Sequence, residues 1–388
     1  MLHSLFPRYP ANFPLPLVLD GSTGTSLMRE GMPAGSCTEK WVLEHPDAIR
    51  KIQADYIRSG SDAVYAPTFG ANRPTLERSD ISDVDSTNQR LASLSENNGA
   101  LVGGDMSPTG LFIEPFGDTP FDDVVAVYRE QAKALEPHVD FFISETNISL
   151  QEARAAVIGI REVSDKPVFV TMTVDDSGRT LSGDDLVCCL MSLAELGINA
   201  FGTNCSQGPD GMLEILKTLV PYSLGLGIPL IAKPNAGLPH EDENGGRHWD
   251  VDAETFGRFA PEFLKAGIPI LGGCCGTDSG FIAKLRAAVD GFTPDLSDTE
   301  PIDTTDFACT NRVFTDTADH GDFVKVAECF YDDVCMEEHL ICAEIEDDKA
   351  AEIFMENVPM ISVPCAVRGG KEIIEKLKRY YNGKLAVI

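Results

Sequence analysis

The sequence predicts an α/β protein, a (β/α)8 TIM barrel followed by a small C-terminal α/β module. Three observations predict it: a unit of short apolar strand, polar or glycine-bearing turn and helix-period segment recurs eight times from about residue 15; each strand is apolar at its start and polar at its end; and the pattern changes after Asp290. A chain of 388 residues exceeds one average domain but accommodates a barrel of about 250 residues and an accessory unit. The expected division is a barrel over 1–293 and an acidic linker with its module over 294–388.

The eight strands are expected at 15–20, 63–68, 101–105, 141–145, 168–172, 200–205, 230–235 and 270–274. Helices are expected between them, at 47–58, 121–135, 150–161, 184–196 and 253–265 among others. Several open on acidic residues, which favour a helix N-terminus. Alternation of this kind makes a parallel sheet, and eight units close it, so the polar strand ends converge on one face. Residues 291–303, rich in proline, acidic and hydroxyl residues, read as a linker. Beyond it the pattern predicts a helix at 323–331, a strand at 340–345, a helix at 347–357, a strand at 360–363, a helix at 371–381 and a strand at 385–388. The last helix region is basic, with Arg368, Lys371, Lys376, Lys378, Arg379 and Lys384; such a run is ordinarily a solvated face.

Composition limits the partners. A formal charge of −30 repels nucleic acid and anionic membrane surfaces, so neither is expected as a partner. No apolar stretch approaches the roughly 18 residues that span a bilayer, and residues 1–8 lack a secretory apolar core, so a cytoplasmic location is expected. Eleven cysteines, an odd number with two adjacent pairs, form no disulfide framework; reduced thiols and a metal are the better account.

Two cysteine motifs carry the chemistry. Phe201-Gly202-Thr203-Asn204-Cys205-Ser206 and Gly272-Gly273-Cys274-Cys275-Gly276-Thr277 each close a short apolar run, about 70 residues apart. Together Cys205, Cys274 and Cys275 offer three thiolates to one ion. Neighbouring residues on a regular strand point to opposite faces, so Cys274 and Cys275 share an ion only if the backbone leaves strand geometry, a freedom that the flanking glycines supply. Three sulfurs suit Zn²⁺, and three ligands rather than four leave a position open for substrate, the mark of a catalytic site. Cys188 and Cys189 sit in a helical stretch and read as buried structural thiols, as do Cys309, Cys329, Cys335, Cys342 and Cys365.

Other strand ends suit an amino acid. In Asp20-Gly21-Ser22-Thr23-Gly24-Thr25 the backbone N–H groups around Gly24 and Thr25 form a cradle for a carboxylate. The Glu145 carboxylate pairs naturally with an ammonium group, and Asn235 offers both donor and acceptor beside a turn. His240 and His248 flank a polar loop expected to act as a lid rather than to bind metal, because three cysteines already fill the inner sphere. Gly202 to Gln207 imitates a phosphate loop, but the P-loop lysine is missing.

Over about residues 15–290 the chain resembles the homocysteine-binding domain of the zinc-dependent homocysteine S-methyltransferases. The resemblance rests on Asp20-Gly21, Thr68-Phe69-Gly70-Ala71-Asn72, Glu145-Thr146, Gly202-Thr203-Asn204-Cys205, Pro234-Asn235-Ala236-Gly237 and the Gly272–Thr277 motif, in the family's order. It implies that Cys205, Cys274 and Cys275 bind zinc, that homocysteine sulfur completes the ion, and that Asp20, Glu145 and Asn235 lie near the bound amino acid with Gly24 and Thr25 near its carboxylate. The implied reaction is methyl transfer to that sulfur, giving methionine. The resemblance leaves the donor open among S-methylmethionine, S-adenosylmethionine, betaine and a methylcorrinoid. Residues 372–388 faintly resemble part of a folate-binding barrel, and the chain has no room for a complete folate or cobalamin domain. The expected donor is therefore methylcobalamin or another methylcorrinoid on a separate protein, not a prosthetic group of this chain. A small sulfonium or betaine donor is the alternative, and a non-catalytic zinc-binding interaction protein a further one.

Overall fold

The computed structural model describes residues 2–96, 99–241, 247–292, 296, 299–318, 320–331 and 339–388. Eight strands form one parallel sheet: β1 (Leu17–Val18), β2 (Ala63–Tyr65), β3 (Leu101–Met106), β4 (Phe141–Asn147), β5 (Val168–Met172), β6 (Ala200–Asn204), β7 (Leu230–Lys233) and β10 (Ile270–Leu271). An antiparallel pair, β8 (Pro239–Glu241) and β9 (Arg247–Trp249), intervenes between β7 and β10. The sheet runs β1-β10-β7-β6-β5-β4-β3-β2. Between its ends, β1 and β2, backbone and carboxylate bonds take the place of a ladder. Asp62 N donates to Val18 O at 2.7 Å, while Asp62 Oδ2 accepts from Val18 N and Asp20 Oδ2 from Tyr65 N, each at 2.8 Å. The result is a nearly closed (β/α)8 barrel.

Strand alternation creates two apolar layers. Inside, Leu17, Leu19, Tyr65, Phe141, Ile143, Phe169 and Ile231 pack together. Outside, Val64, Phe142, Val170, Phe201 and Leu230 meet the helices. The N-terminal segment, which sequence reading left unassigned, joins the inner layer: buried Phe6, Tyr9 and Phe13 pack with it, Tyr9 stacking on Phe169 at 5.9 Å.

The predicted helices over 121–135 and 150–161 form as expected. The one predicted at 253–265 is two pieces, Ala253–Gly257 and Ala260–Lys265, because Pro261 supplies no N–H and its ring clashes with a helical carbonyl four residues back.

After the barrel come an antiparallel pair, β11 (Phe307–Cys309) and β12 (Phe314–Asp316), and a parallel four-stranded sheet of β13 (Val324–Lys325), β14 (Ile341–Ile345), β15 (Cys365–Gly369) and β16 (Ala386–Val387). The strand expected at 360–363 lies instead at 365–369. Met360 is exposed at the end of a 3₁₀ turn, and the ladder starts where Pro364 O accepts from Ile341 N at 2.9 Å and Cys365, Ala366 and Val367 are buried. Cys329 also departs from expectation, being disulfide-bonded rather than a free thiol. Cys335 lies outside the described residues.

The basic C-terminal helix, Lys371–Tyr380, spends part of its charge on the barrel. Arg379 donates to Asp122 at 2.7 Å and to Glu162 at 2.9 Å, and the Tyr380 hydroxyl donates to Asp122 at 2.7 Å. In return the buried Arg154 of the barrel donates to Lys378 O at the helix C-terminus, where a cation is favoured. Ser192 Oγ donates to Gly383 O at 2.8 Å.

Candidate metal centre and substrate cavity

The three predicted cysteines meet. The Sγ atoms of Cys205, Cys274 and Cys275 lie within 4.8 Å of one another, and those of Cys205 and Cys275 are 3.5 Å apart. Thiolates about 2.3 Å from a tetrahedral zinc ion stand about 3.8 Å apart, so the trio fits the ion it was expected to hold. Among the described residues no histidine or carboxylate joins this cluster.

The end of β7 is the scaffold both loops share. Cys205 N donates to Lys233 O at 3.4 Å, Cys274 N to Pro234 O at 2.8 Å, and Ala236 N to Cys275 O at 2.9 Å. β10 ends at Leu271, so Cys274 and Cys275 lie beyond strand geometry as expected, and a departure not foreseen occurs at Cys205. Cys205 takes φ +54°, the left-handed region, as does Gly276 at φ +85°. A Cβ at Gly273 would stand 2.3 Å from Thr277 Oγ1, so only glycine lets that hydroxyl reach Cys274 O, to which it donates at 2.7 Å.

Asn204, not foreseen as a site residue, fixes the sulfur side. Its Oδ1 accepts from Thr146 N at 2.9 Å and Thr171 Oγ1 at 2.8 Å, which turns Nδ2 toward Thr146 Oγ1 at 2.9 Å and Cys274 Sγ at 3.8 Å. Hydrogen bonding from Cys205 and Cys274 holds the Cys275 thiol down at about 3, and as donor to its neighbours Cys205 is driven far up. Three thiolates this close repel one another, so a cation is needed for all three to be ionised together.

The cysteines open into a cavity of about 300 Å³ whose wall includes Gly24, Thr25, Glu145, Asp105, Lys233 and Tyr65. Gly24 and Thr25 line it from the helix Thr23–Arg29 rather than from a turn, and the capping Ser22 Oγ accepts from Thr25 N at 3.2 Å. Asp20 and Asn235 lie one layer behind. Asp20 is 1% exposed, with one oxygen on Tyr65 N and the other 3.4 Å from Lys233 Nζ. Asn235 is 7% exposed, its backbone N–H donating to Gln207 O at 3.0 Å and its Oδ1 without a partner among the described residues.

Lys233 is the residue that strand reading passed over. Its Nζ lies 3.4 Å from both Asp20 Oδ1 and Glu145 Oε2 and 3.7 Å from the centroid of the Tyr65 ring. Burial opposes its charge, but Glu145, Tyr65 and Asp20 outweigh burial and hold the ammonium group charged. Burial pushes Glu145 up to about 7 against the pull of Lys233, and burial together with Glu145 pushes Asp105 well above the carboxylate range. The only signal for Lys233 was a polar residue at a strand end. His240 lies 3.4 Å from Asp250 and is exposed; the loop at 242–246 and the His248 side chain lie outside the described residues.

The chain is thus a (β/α)8 barrel protein with a three-thiol cluster, able to hold a metal ion, beyond the carboxyl ends of β6 and β10. Residues 17–289 match the homocysteine S-methyltransferase family, and the chain belongs to that family. It is 31% identical over 304 residues to a methionine synthase of Mycobacterium tuberculosis (strain ATCC 25618 / H37Rv), covering 70% of this chain and 24% of that protein. Over 307 residues it is 31% identical to the methionine synthase of Mycobacterium leprae (strain TN), covering 72% and 25%. The chain thus spans about a quarter of the length of the curated relatives it matches. In fold it resembles the homocysteine methyltransferase MmuM of Escherichia coli. The oxidized form matches with TM-score 0.58 and the metallated form with 0.57, at 22% and 21% identity, each over 70% of this chain and 95% of that one.

Proposed function

We propose that this chain catalyses zinc-dependent methyl transfer to the thiol of homocysteine, giving methionine, with the methyl group delivered by a methylcorrinoid on a separate protein. The observation that carries the reading is the trio Cys205, Cys274 and Cys275 opening into a cavity walled by carboxylate, lysine and helix-terminal groups. Zinc bound by the trio supplies the positive charge that ionises a thiol at neutral pH and keeps it nucleophilic. The chain's own groups do the rest. Asn204 orients Cys274; Glu145 faces the amine of the amino acid; Gly24 and Thr25 face its carboxylate; Asp20 and Asn235 support these groups from behind. In the overall reaction the S–CH3 bond forms, the donor's bond to methyl breaks with its electron pair, and the thiol proton leaves to solvent.

A protein-borne donor is favoured by the rim of the barrel mouth. Phe69, Phe112, Phe116, Leu181 and Leu238 are exposed, Phe112 by 72% and Phe116 by 85%, and all follow the carboxyl ends of strands, the end that carries the cysteines. Such a rim suits an apolar partner surface. A small donor such as S-methylmethionine, S-adenosylmethionine or betaine is the second reading, favoured by the carboxylates of Glu39 and Glu145 in the cavity wall, which suit a cationic donor. Two separate apolar clusters support treating 1–293 and 294–388 as two units. No described helix is long and apolar enough to cross a membrane; a cytoplasmic location fits the reading.

The test pairs metal with turnover. The purified protein is expected to hold about one zinc per chain, and Cys205→Ala, Cys274→Ala or Cys275→Ala each to lose zinc or methylation of homocysteine, since each removes one of three ligands. Zinc and activity unchanged in all three variants overturns the assignment. Methylated corrinoid protein, S-methylmethionine, S-adenosylmethionine and betaine supplied in parallel separate the two donor readings.

A further inference from the structure

Four ionisable side chains are buried together beneath the cavity. Asp20, Asp105 and Glu145 supply three carboxylates; Lys233 supplies the one ammonium group. Lys233 lies between Asp20 and Glu145, 3.4 Å from each, and Asp20 is further satisfied by Tyr65 N. Asp105 is left over. It is 6% exposed, it lines the cavity, and its Oδ1 has no hydrogen-bond partner among the described residues.

A buried carboxylate without a partner is costly unless a cation or a proton reaches it, and among the described residues Lys233, already shared, is the cationic side chain placed nearby. The register explains its aim. Asp105 pairs with Ile143, and Ile143 belongs to the inner layer of the barrel, so Asp105 projects inward from β3 as Glu145 does from β4. Tyr65, whose buried hydroxyl also has no hydrogen-bond partner among the described residues, lines the same wall. Two carboxylates on adjacent strands, one without a counter-charge, make a receptor for a primary ammonium group, whose three N–H donors need more than one acceptor.

We propose that Asp105 is the second carboxylate of a clamp on the substrate's α-ammonium group, and that it sets the preference of this protein for amino-acid thiols over thiols lacking the amine. The inference rests on the reading of the cavity as a homocysteine site and adds a residue to it. Lys233 stands 3.4 Å from Glu145 and engages its carboxylate directly, whereas Asp105 Oδ1 has no hydrogen-bond partner among the described residues and is the acceptor left for the ligand's ammonium group.

The test compares homocysteine with 4-mercaptobutanoate, which keeps the thiol and carboxylate and lacks only the amine. Binding to the zinc-loaded protein is measured by calorimetry. The wild-type protein is expected to bind homocysteine more tightly than 4-mercaptobutanoate. Asp105→Asn should weaken homocysteine about 10- to 100-fold, the range for a lost hydrogen bond to a charged group, and leave 4-mercaptobutanoate within about twofold. The melting temperature of the ligand-free variant should hold, because the amide is isosteric with a carboxyl that burial and Glu145 already hold toward its neutral form; a structural role would lower it. Equal weakening of both thiols, or no change for either, overturns the proposal. If Asp105→Asn fails to fold, the wild-type comparison decides: equal affinity for the two thiols, each binding with proton release, overturns the clamp while keeping the thiol site. Neither thiol binding to the zinc-loaded protein overturns the reading of the site itself.

Discussion

Replacing Lys233 by Met removes the positive charge that stands between the buried carboxylates of Asp20 and Glu145 and keeps most of the side chain's volume. Lys233, Asp20 and Glu145 have side chains 3%, 2% and 12% exposed, so water does little to screen what is left. Asp20 cannot swing away, because its other oxygen holds Tyr65 N at 2.8 Å across the seam between β1 and β2. Breaking a buried pair by removing one partner costs about 3–5 kcal/mol when the remaining charge stays. Protonation offers an escape, and its reach depends on pH. Glu145 is raised in the fold from 4.5 to about 7. A carboxyl with a raised folded value contributes stability that is present below its unfolded value and lost as pH rises through the folded one. For Glu145 that window runs from about 4.5 to about 7, and the ionised form costs about 3 kcal/mol at its upper end. Lys233 opposes this rise, so its removal moves Glu145 further up and widens the window.

The expected result is a Lys233→Met variant nearly as stable as wild type near pH 5, where Glu145 is readily neutral, and weaker by several kcal/mol near pH 8. Urea unfolding of reduced, zinc-free protein at several pH values measures it without a contribution from metal binding. A loss of the same size at every pH would refute the reasoning, since Lys233 would then act through packing rather than charge.

Two further outcomes follow from the site's surroundings. Asn204→Ala removes the donor aimed at Cys274 and the acceptor of two bonds, so zinc affinity measured against a competing chelator should fall about 10- to 100-fold, the usual effect of losing such support; an unchanged affinity would count against a role in orienting the sulfur. Substituting both Phe112 and Phe116 by Ser should slow methyl transfer from a corrinoid protein about tenfold or more, since burying one Phe is worth about 1.5–3 kcal/mol, and spare transfer from free methylcobalamin; equal slowing with both donors would remove the docking role.

The barrel was legible because its signal repeats: one ambiguous apolar run says little, but eight in alternation with helix periods leave few topologies. The trio was legible for a related reason, as glycine beside cysteine at a strand end marks a backbone about to leave the ladder. What the sequence concealed are effects of convergence. Lys233 stands in a strand end whose apparent interest was Asn235, and nothing local says that its amine will lie between carboxylates from β1 and β4. Asp105 closes a strand as unremarkably as Asp20 does; only the assembled barrel leaves one satisfied and the other not. Phe6, Tyr9 and Phe13 follow no secondary-structure period, so their packing into the inner layer gave no sign. The strand at 365–369 was displaced in the reading because Met360 and Ile361 are apolar, whereas Pro364 sets where pairing begins.

The C-terminal unit changes meaning once its contacts are known. From sequence, the basic helix region reads as a solvated face. In the fold, Arg379 is committed to Asp122 and Glu162, Lys384 to Thr304 O, and the Arg368 guanidinium lies 4.1 Å from the centroid of the Phe323 ring. These charges serve the module and its seat on the barrel. Arg154 makes the dependence mutual, for this buried guanidinium has carbonyls of the module among its acceptors, and truncating the module would strand it. Deleting residues 300–388 therefore tests barrel stability before it tests partner choice. A partner that must bring a methyl group to the cysteines has to approach the carboxyl ends of the strands, where exposed Phe112, Phe116 and Leu181 stand on the loops after β3 and β5. The surface to alter in a search for the donor protein is that rim.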